Sequence, residues 1–276
     1  MTACIFAPRL RTLSGSVREL DHTLKSSRVT VRDDVTFNIH EHPQNMNYRH
    51  LTTSCLPMFA ALMALFLAGA PTAQAQVTTL ANLGSSDNST IAASPPGGLT
   101  VSGSTLYGAT RFGGADNQGT VSSVPVYGGA PTVLASFNGT NGSNPVGGLA
   151  LSGGTLYGIT EKGGANNQGV VFSLPVGGGT PTVVASFNGT NGSTPEDGLT
   201  LSGSTLYGAT SSGGANNQGV VFSLPVGGGA VKVRATFPGT NGWNPVGGLT
   251  LSGGTLYGIT QNGGPNGMGT VFAVSE

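Results

Sequence analysis

The residue types that support acid–base or nucleophilic catalysis are scarce after residue 75. All four histidines and both cysteines precede Gln76. The later carboxylates are Asp87, Asp116, Glu161, Glu196, Asp197 and Glu276. Acid–base catalysis needs a histidine, a carboxylate of shifted pKa or a similar group, and zinc sites and thiolate nucleophiles need histidine or cysteine. We therefore expect no catalytic residue, no cofactor and no metal site in this part of the chain, and no enzymatic activity.

Two alternatives to this expectation depend on where the carboxylates gather. The loop "GGADNQG" at 113–119 has a single carboxylate, Asp116, whereas Ca²⁺ takes about six to eight oxygen ligands; we therefore predict a plain turn. A glycoside hydrolase needs two carboxyl groups about 5–10 Å apart. Asp116, Glu161, Glu196 and Asp197 could supply such a pair only if they lie around one mouth of the fold, and a carbohydrate-active enzyme is kept as an alternative on that condition.

Trp243 is the only tryptophan of the chain, and it interrupts a regular pattern. The loops 50 and 100 residues earlier have Ser193 and Ser143 at the corresponding positions. An aromatic side chain on the rim of a loop is typical of places where a sugar ring or a partner chain stacks. The alternative interpretation is packing against a neighbouring repeat. Trp243 is thus the one candidate contact for a ligand or partner, which would be a carbohydrate or a cell-surface protein.

A repeat of 50 residues extends over the C-terminal two thirds of the chain. It is marked by Tyr107, Tyr157, Tyr207 and Tyr257, and by Gly98, Gly148, Gly198 and Gly248. A repeat of this length indicates a solenoid, a propeller or an array. The same regularity argues against the disorder that a chain with 47 glycines would otherwise suggest.

Each repeat contains four short strand patterns and no helical spacing. In the third repeat the patterns lie at 199–201, 204–207, 220–224 and 231–237, with a glycine-rich loop at 213–219. Four short antiparallel strands in about 50 residues match the size of one β-propeller blade. We therefore predict an all-β array of four blades, with hairpins starting near residues 98, 148, 198 and 248. The recurring tyrosines and phenylalanines are expected to pack between adjacent blades rather than to line a channel.

The last repeat ends after its third strand pattern, which leaves one strand missing. The segment "VTTLANL" at 77–83 matches "TVLASF" in pattern. We predict that it completes the last blade and closes the ring, which would also remove the open sheet edges that favour aggregation. The alternative is an open array, or one completed by another copy of the chain.

The segments "GGLTVSGSTLYGATRFGGADNQGTVSS" at 97–123 and "DGLTLSGSTLYGATSSGGANNQGVVFSL" at 197–224 resemble the GloVer tandem repeat of exported bacterial proteins. The resemblance covers about residues 95–276, and the ordered GL, LYG, GG and G-V-F elements recur four times. It implies a Kelch-like or galactose-oxidase-like propeller without the oxidase chemistry. It also implies an exported or surface protein, although this chain has no apolar tail after its last repeat.

The N-terminal third has a different composition and divides into two parts. Residues 46–75 have a basic start at Arg49, an apolar stretch at 56–70 and the sequence Ala-Gln-Ala at 73–75. These three parts, in this order, predict a signal peptide that is cleaved after Ala75. Residues 1–45 would then be an extension of the gene model or a disordered tail. We expect a mature chain, 76–276, that is secreted or at the cell surface and free of the membrane.

Charge narrows the possible partners further. After residue 75 the chain has four basic and six acidic residues. Because nucleic-acid binding depends on clustered Lys and Arg, this balance argues against a nucleic-acid partner. The sequence therefore favours a non-catalytic binding or surface-structural module, with the exported carbohydrate-active enzyme and a self-assembling surface protein as alternatives.

Overall fold

The computed structural model describes residues 26–30, 36–40, 76–83 and 94–276, and the chain divides into two compact units, Met1–Ala75 and Gln76–Glu276. In the first unit, β1 (Ser26–Thr30) pairs antiparallel with β2 (Thr36–His40). Both strands contain residues that favour β-structure, such as Val29 and Ile39. The assignment of residues 1–45 to a gene-model extension or a disordered tail stays a prediction. The predicted signal peptide at 46–75 lies outside the described residues.

The second unit consists of four antiparallel sheets that follow one another along the chain. We call them blades 1 to 4. Their strands are β3 (Thr100–Ser102), β4 (Thr105–Thr110), β5 (Thr120–Pro125) and β6 (Thr132–Ser136); β7 (Ser143–Ser152), β8 (Thr155–Lys162), β9 (Val170–Pro175) and β10 (Thr182–Ser186); β11 (Thr200–Ser202), β12 (Thr205–Thr210), β13 (Val220–Pro225) and β14 (Lys232–Thr236); and β15 (Trp243–Ser252), β16 (Thr255–Asn262) and β17 (Thr270–Ser275).

This architecture confirms the all-β, propeller-like prediction and the hairpins at the start of each repeat. Within every blade, neighbouring strands in the sheet are also neighbours in the sequence. The tight turns between the first two strands form at Gly103 and Gly203, where φ is +57° and +54°. Glycine adopts this left-handed conformation without the clash that a Cβ atom causes. The described residues include no helix long and apolar enough to cross a membrane.

Adjacent blades pack through two different faces. The forward face of a blade points to the next blade and carries, in blade 1, Tyr107, Val121 and Phe137. The rear face points to the preceding blade and carries, in blade 2, Leu149, Leu156, Leu174 and Phe172. The same arrangement recurs between blades 2 and 3 and between blades 3 and 4. The expected packing of tyrosines and phenylalanines between adjacent blades is thus confirmed.

One phenylalanine pair joins each of these three interfaces. The pairs are Phe137 with Phe172, Phe187 with Phe222, and Phe237 with Phe272, with ring centroids 4.9–5.1 Å apart in edge-to-face geometry. The second ring of each pair lies over the glycine opposite it on the neighbouring strand, Gly158, Gly208 or Gly258. Edge-to-face rings add about 0.5–1.5 kcal/mol beyond the area they bury.

The predicted strand at 77–83 is absent, and blade 4 has three strands in the part of the chain that the structure describes. The segment instead lies against blade 1: the Gly129 amide donates to the Leu80 carbonyl at 3.1 Å, as the Gly179 amide donates to Leu134 at 3.0 Å. Leu134 belongs to the outer strand of blade 1 and contacts the following blade. The N-terminal segment therefore takes the equivalent place against the rear face of blade 1. Pairing with β17 requires blades 4 and 1 to meet, and closure of the ring stays a prediction.

The glycine beneath each ring generates a prediction about stability. A Cβ atom on Gly158 would lie 2.4 Å from Phe172 Cζ and 2.8 Å from Leu149 Cδ2. We expect Gly158→Ala to lower the free energy of unfolding by about 1–3 kcal/mol, because the added methyl group overpacks the interface. Gly177→Ala is the control, since a Cβ atom there meets nothing within 4 Å. Denaturant titration of both variants measures the difference, and equal stabilities would contradict this account of the interface.

Candidate functional site: the loop face

The longer loops of all four blades lie at one end of the unit, which we call the loop face. It is formed by the loops at 111–119, 163–169, 211–219 and 263–269 and by the links at 137–142, 187–199 and 237–242. Backbone hydrogen bonds hold loops and links together: the Asn144 amide donates to the Gln118 carbonyl at 2.8 Å, and the Gly164 amide to the Gly139 carbonyl at 2.9 Å. The short turns, including that of Tyr127, lie at the opposite end of the strands.

Asparagine side chains fold these loops rather than project from them. In the first three loops the Oδ1 atom of Asn117, Asn167 or Asn217 accepts a hydrogen bond at 2.8–3.0 Å from a backbone amide four residues earlier. Each of these residues has φ of +53° to +54°. Asparagine tolerates this conformation and can hydrogen-bond its own turn, which explains its recurrence. The expected plain turn at 113–119 is found, with Asp116 exposed on it.

The carboxylates are placed in different surroundings. Glu161 forms an ion pair with Arg111 of the neighbouring blade, and its Oε1 atom lies 3.8 Å from Nζ of Lys162. Asp197 accepts a hydrogen bond of 2.6 Å from the Gly198 amide and lies beside Gly248, and Glu196 is exposed. Within the described ranges no group of three acidic, histidine or cysteine residues is placed to hold a metal ion.

The Arg111–Glu161 pair was not anticipated from the sequence, although a signal for it exists. The two residues occupy the same position in consecutive repeats, directly after Thr110 and Thr160, and carry opposite charges. Each lies at the end of the second strand, so adjacent blades bring them together. The Glu161 side chain is only 16% exposed, and Arg111 compensates its negative charge. The ion pair also joins blades 1 and 2 at the loop face.

Trp243 begins β15 at the loop face and is one of two exposed aromatic residues there, together with Phe112 of the blade 1 loop. It pairs with Asn262 across the sheet, its indole lies against Gly263 of the same blade, and 38% of the residue is exposed. Its counterpart Ser143 is buried. The indole therefore contacts its own blade on one side and leaves a partly free surface on the other. Within the described residues, the hydrophobic cluster between blades 3 and 4 does not include it.

The hydrogen bonding beneath this position differs from one interface to the next. In blade 2 the Ser143 hydroxyl donates to Oε1 of Gln118. The corresponding Oε1 atoms of Gln168, beneath Ser193, and of Gln218, beneath Trp243, are buried and have no hydrogen-bond partner within the described structure. The Asn244 amide still donates to the Gln218 carbonyl at 3.0 Å. A serine therefore does not by itself satisfy the glutamine, and the acceptor below Trp243 is not specific to the tryptophan.

A family model described as the Gloeobacter/Verrucomicrobia repeat matches residues 70–272, and the chain belongs to this family. The match confirms the resemblance found in the repeats. No curated protein sequence matches the chain.

Solved structures align with part of the chain at low sequence identity. A chain of a nidogen/laminin complex is 16% identical, with 57% of this chain and 52% of that chain covered and a TM-score of 0.41. A TolB-like protein from Agrobacterium tumefaciens is 13% identical, with 63% and 71% covered and a TM-score of 0.39. The GH43B protein of a Bacteroides ovatus xyloglucan locus is 16% identical, with 65% and 38% covered and a TM-score of 0.38.

The hydrogen bond beneath Ser143 generates the second prediction. We expect Ser143→Ala to lower the free energy of unfolding by about 1 kcal/mol, the net value of one buried hydrogen bond, because it leaves Oε1 of Gln118 without its donor. Ser193→Ala is the control, since the Oε1 atom of Gln168 beneath Ser193 has no partner to lose. Thermal or denaturant unfolding of the two variants side by side measures this difference. Equal losses of stability would contradict this account of the Ser143 hydrogen bond.

Proposed function

We propose that this chain is an exported, non-catalytic repeat protein that binds a carbohydrate through the loop face around Trp243. The observation that carries the proposal is the exposed indole at a position where the equivalent Ser143 is buried. An aromatic ring that stays partly exposed beside a polar surface can stack on the apolar face of a sugar ring. Cleavage of the signal peptide after Ala75 and secretion belong to the same proposal.

The surroundings of the carboxylates support a binding module over an enzyme. Glu161 is compensated by Arg111, and Asp197 is engaged by a backbone amide of its own turn. A glycoside hydrolase needs two carboxyl groups that face one bound sugar, one as the general acid and the other as nucleophile or general base. Asp116 and Glu196 are exposed on different segments, a loop of blade 1 and the link before blade 3.

Because Trp243 is the only tryptophan, its fluorescence reports directly on this site. We expect cellohexaose or chitohexaose to change the emission of the full chain in a saturable way, since stacking removes water from the indole. Calorimetry on Trp243→Ser should then show at least a tenfold loss of affinity. The control is Tyr127→Ser, which removes a residue 90% exposed at the opposite end of the strands and should leave binding unchanged. If neither oligosaccharide alters the emission, the carbohydrate proposal fails and a cell-surface protein becomes the partner to test.

Self-assembly is a second candidate function, favoured by the forward face of blade 4. Tyr257, Ile259 and Val271 are 42%, 51% and 79% exposed, whereas the equivalent residues of blade 2 are at most 8% exposed. This apolar face has the composition of the three faces that pack on a following blade. It would be covered by blade 1, either of the same chain, which closes the ring, or of another copy, which extends the array.

Light scattering over a range of concentrations separates these two outcomes. If copies associate through this face, the mass of the full chain rises with concentration, and Val271→Lys keeps it monomeric, because a buried lysine is costly at an apolar interface. Ring closure instead gives a concentration-independent monomer whose free energy of unfolding falls on the same substitution. Lys232→Ala, a change on the exposed outer strand of blade 3, serves as the control in both cases. A monomer of unchanged stability would rule out both uses of the face.

A further inference from the structure

The rear face of blade 1 breaks the pattern that the other three blades share. In blades 2 to 4 a phenylalanine ring lies over the opposing glycine, so closely that a Cβ atom on the glycine would be 2.4–2.6 Å from the ring. In blade 1 the corresponding pair is Gly108 and Ser122. Among the described residues, a Cβ atom on Gly108 would meet only the Leu99 side chain within 4 Å. No described residue therefore places a ring in the space that a ring fills in the other three blades.

The partner ring is missing as well. The Leu80 carbonyl accepts from Gly129 as Leu134 accepts from Gly179, which aligns the segment at 76–83 with the outer strand β6. Three residues further on, Leu83 therefore corresponds to Phe137. The edge-to-face pair of the other interfaces is replaced by a leucine and a serine, so two aromatic rings are lost at one place.

A cavity of about 240 Å³ occupies this position. Its walls come from the N-terminal segment and from blade 1, and they are mainly apolar, with Leu80, Leu83, Leu99, Leu106 and Val124 beside the hydroxyl-bearing Thr79, Thr110 and Ser122. Apolar cavities of about 150 Å³ take up benzene. The cavity is therefore large enough for one aromatic ring or two fused rings.

Among the polar groups that line the cavity, the Ser122 hydroxyl has little to hydrogen-bond with. Ser122 is 5% exposed, and its hydroxyl has a single side-chain neighbour at hydrogen-bond range, Thr120 Oγ1 at 3.5 Å. That distance is at the outer limit for such a bond. Thr120 Oγ1 is itself engaged with Thr110 Oγ1 at 2.8 Å. The Ser122 hydroxyl is thus available to a polar atom of a molecule inside the cavity.

We propose that this cavity binds a small planar aromatic molecule that carries one hydroxyl or N–H group. The ring takes the place of the two absent phenylalanine side chains between Gly108 and Leu83. The polar group hydrogen-bonds the Ser122 hydroxyl, and the ring contacts the leucine side chains, of which Leu80, Leu83 and Leu99 are 40–64% exposed. This site is separate from the loop face and does not depend on the function proposed for Trp243.

A blade that closes or extends the array would not supply the missing rings. In the interface of blades 1 and 2 the forward-face residues Tyr107 and Val121 are present in addition to the Phe137–Phe172 pair, not in place of it. A forward face packed on blade 1 would cover Leu99 and Val101, which are 64% and 58% exposed. The position over Gly108 would still lack its ring, and covering the cavity would shield a bound molecule further.

Calorimetry with phenol, indole and toluene on the full chain tests the proposal. We expect phenol and indole to bind saturably at one site. Ser122→Phe restores the ring of the other blades, and it should abolish binding of all three probes and raise the melting temperature. Ser122→Ala keeps the cavity but removes the hydroxyl, so it should bind toluene like the parent and phenol about threefold to tenfold more weakly, as expected for one hydrogen bond.

Two controls keep the result interpretable. Ser104→Phe makes the same change on an exposed turn and should leave probe binding intact. Intermolecular nuclear Overhauser effects from phenol to the methyl groups of Leu99 and Leu106 locate the site in the unsubstituted chain, so the test does not depend on the folding of any variant. Absence of saturable binding at millimolar probe, contacts to methyl groups outside the cavity alone, or unchanged binding by a folded Ser122→Phe variant would each overturn the proposal. Trp243→Ser should bind phenol like the parent, which separates this outcome from that of the carbohydrate test.

Discussion

The architecture depends on phenylalanine rings that lie over glycines. At Gly158, Gly208 and Gly258 the absence of a Cβ atom lets the ring on the opposing strand fold flat across its own sheet. The folded ring then presents its surface to the phenylalanine of the preceding blade at about 5 Å. Because each ring serves both its own sheet and the interface, sheets of only three or four short strands can pack closely on one another.

The two ends of the unit follow from the same interaction. Blade 4 has its own ring, Phe272, but no described residue of another blade covers its forward face, and Tyr257 and Val271 are exposed there. Blade 1 has lost the ring and has the N-terminal segment against its rear face. A repeat array buries each blade only through its neighbours, so its terminal units differ in composition and exposure from the others. The candidate sites of this chain lie where the repeat is broken.

The loop face shows the same relation between regularity and function. Asparagine and glycine residues give its loops nearly the same backbone in three blades, which leaves few side chains free to contact a partner. The exceptions are substitutions within the repeat: Trp243 for serine, and the opposite charges of Arg111 and Glu161. A regular scaffold thus fixes the positions at which single replacements change the surface, and this is why binding residues concentrate on loops of rigid folds.

The sequence alone determined the all-β class, the four hairpins and the contacts between phenylalanines, because the period of 50 and the alternation of apolar residues set strand length and face. It also singled out Trp243 as an exception. Strand pairing at the N-terminus was not decided this way: "VTTLANL" suits an outer strand in pattern and Leu80 accepts from the turn of blade 1 as the outer-strand residue Leu134 does from blade 2, but the segment is not paired with β17. Only the tertiary structure decided that Arg111 meets Glu161 and that Ser122 leaves a cavity. Both depend on how one blade lies against the neighbouring blade or segment. The pattern within a single repeat does not specify that placement.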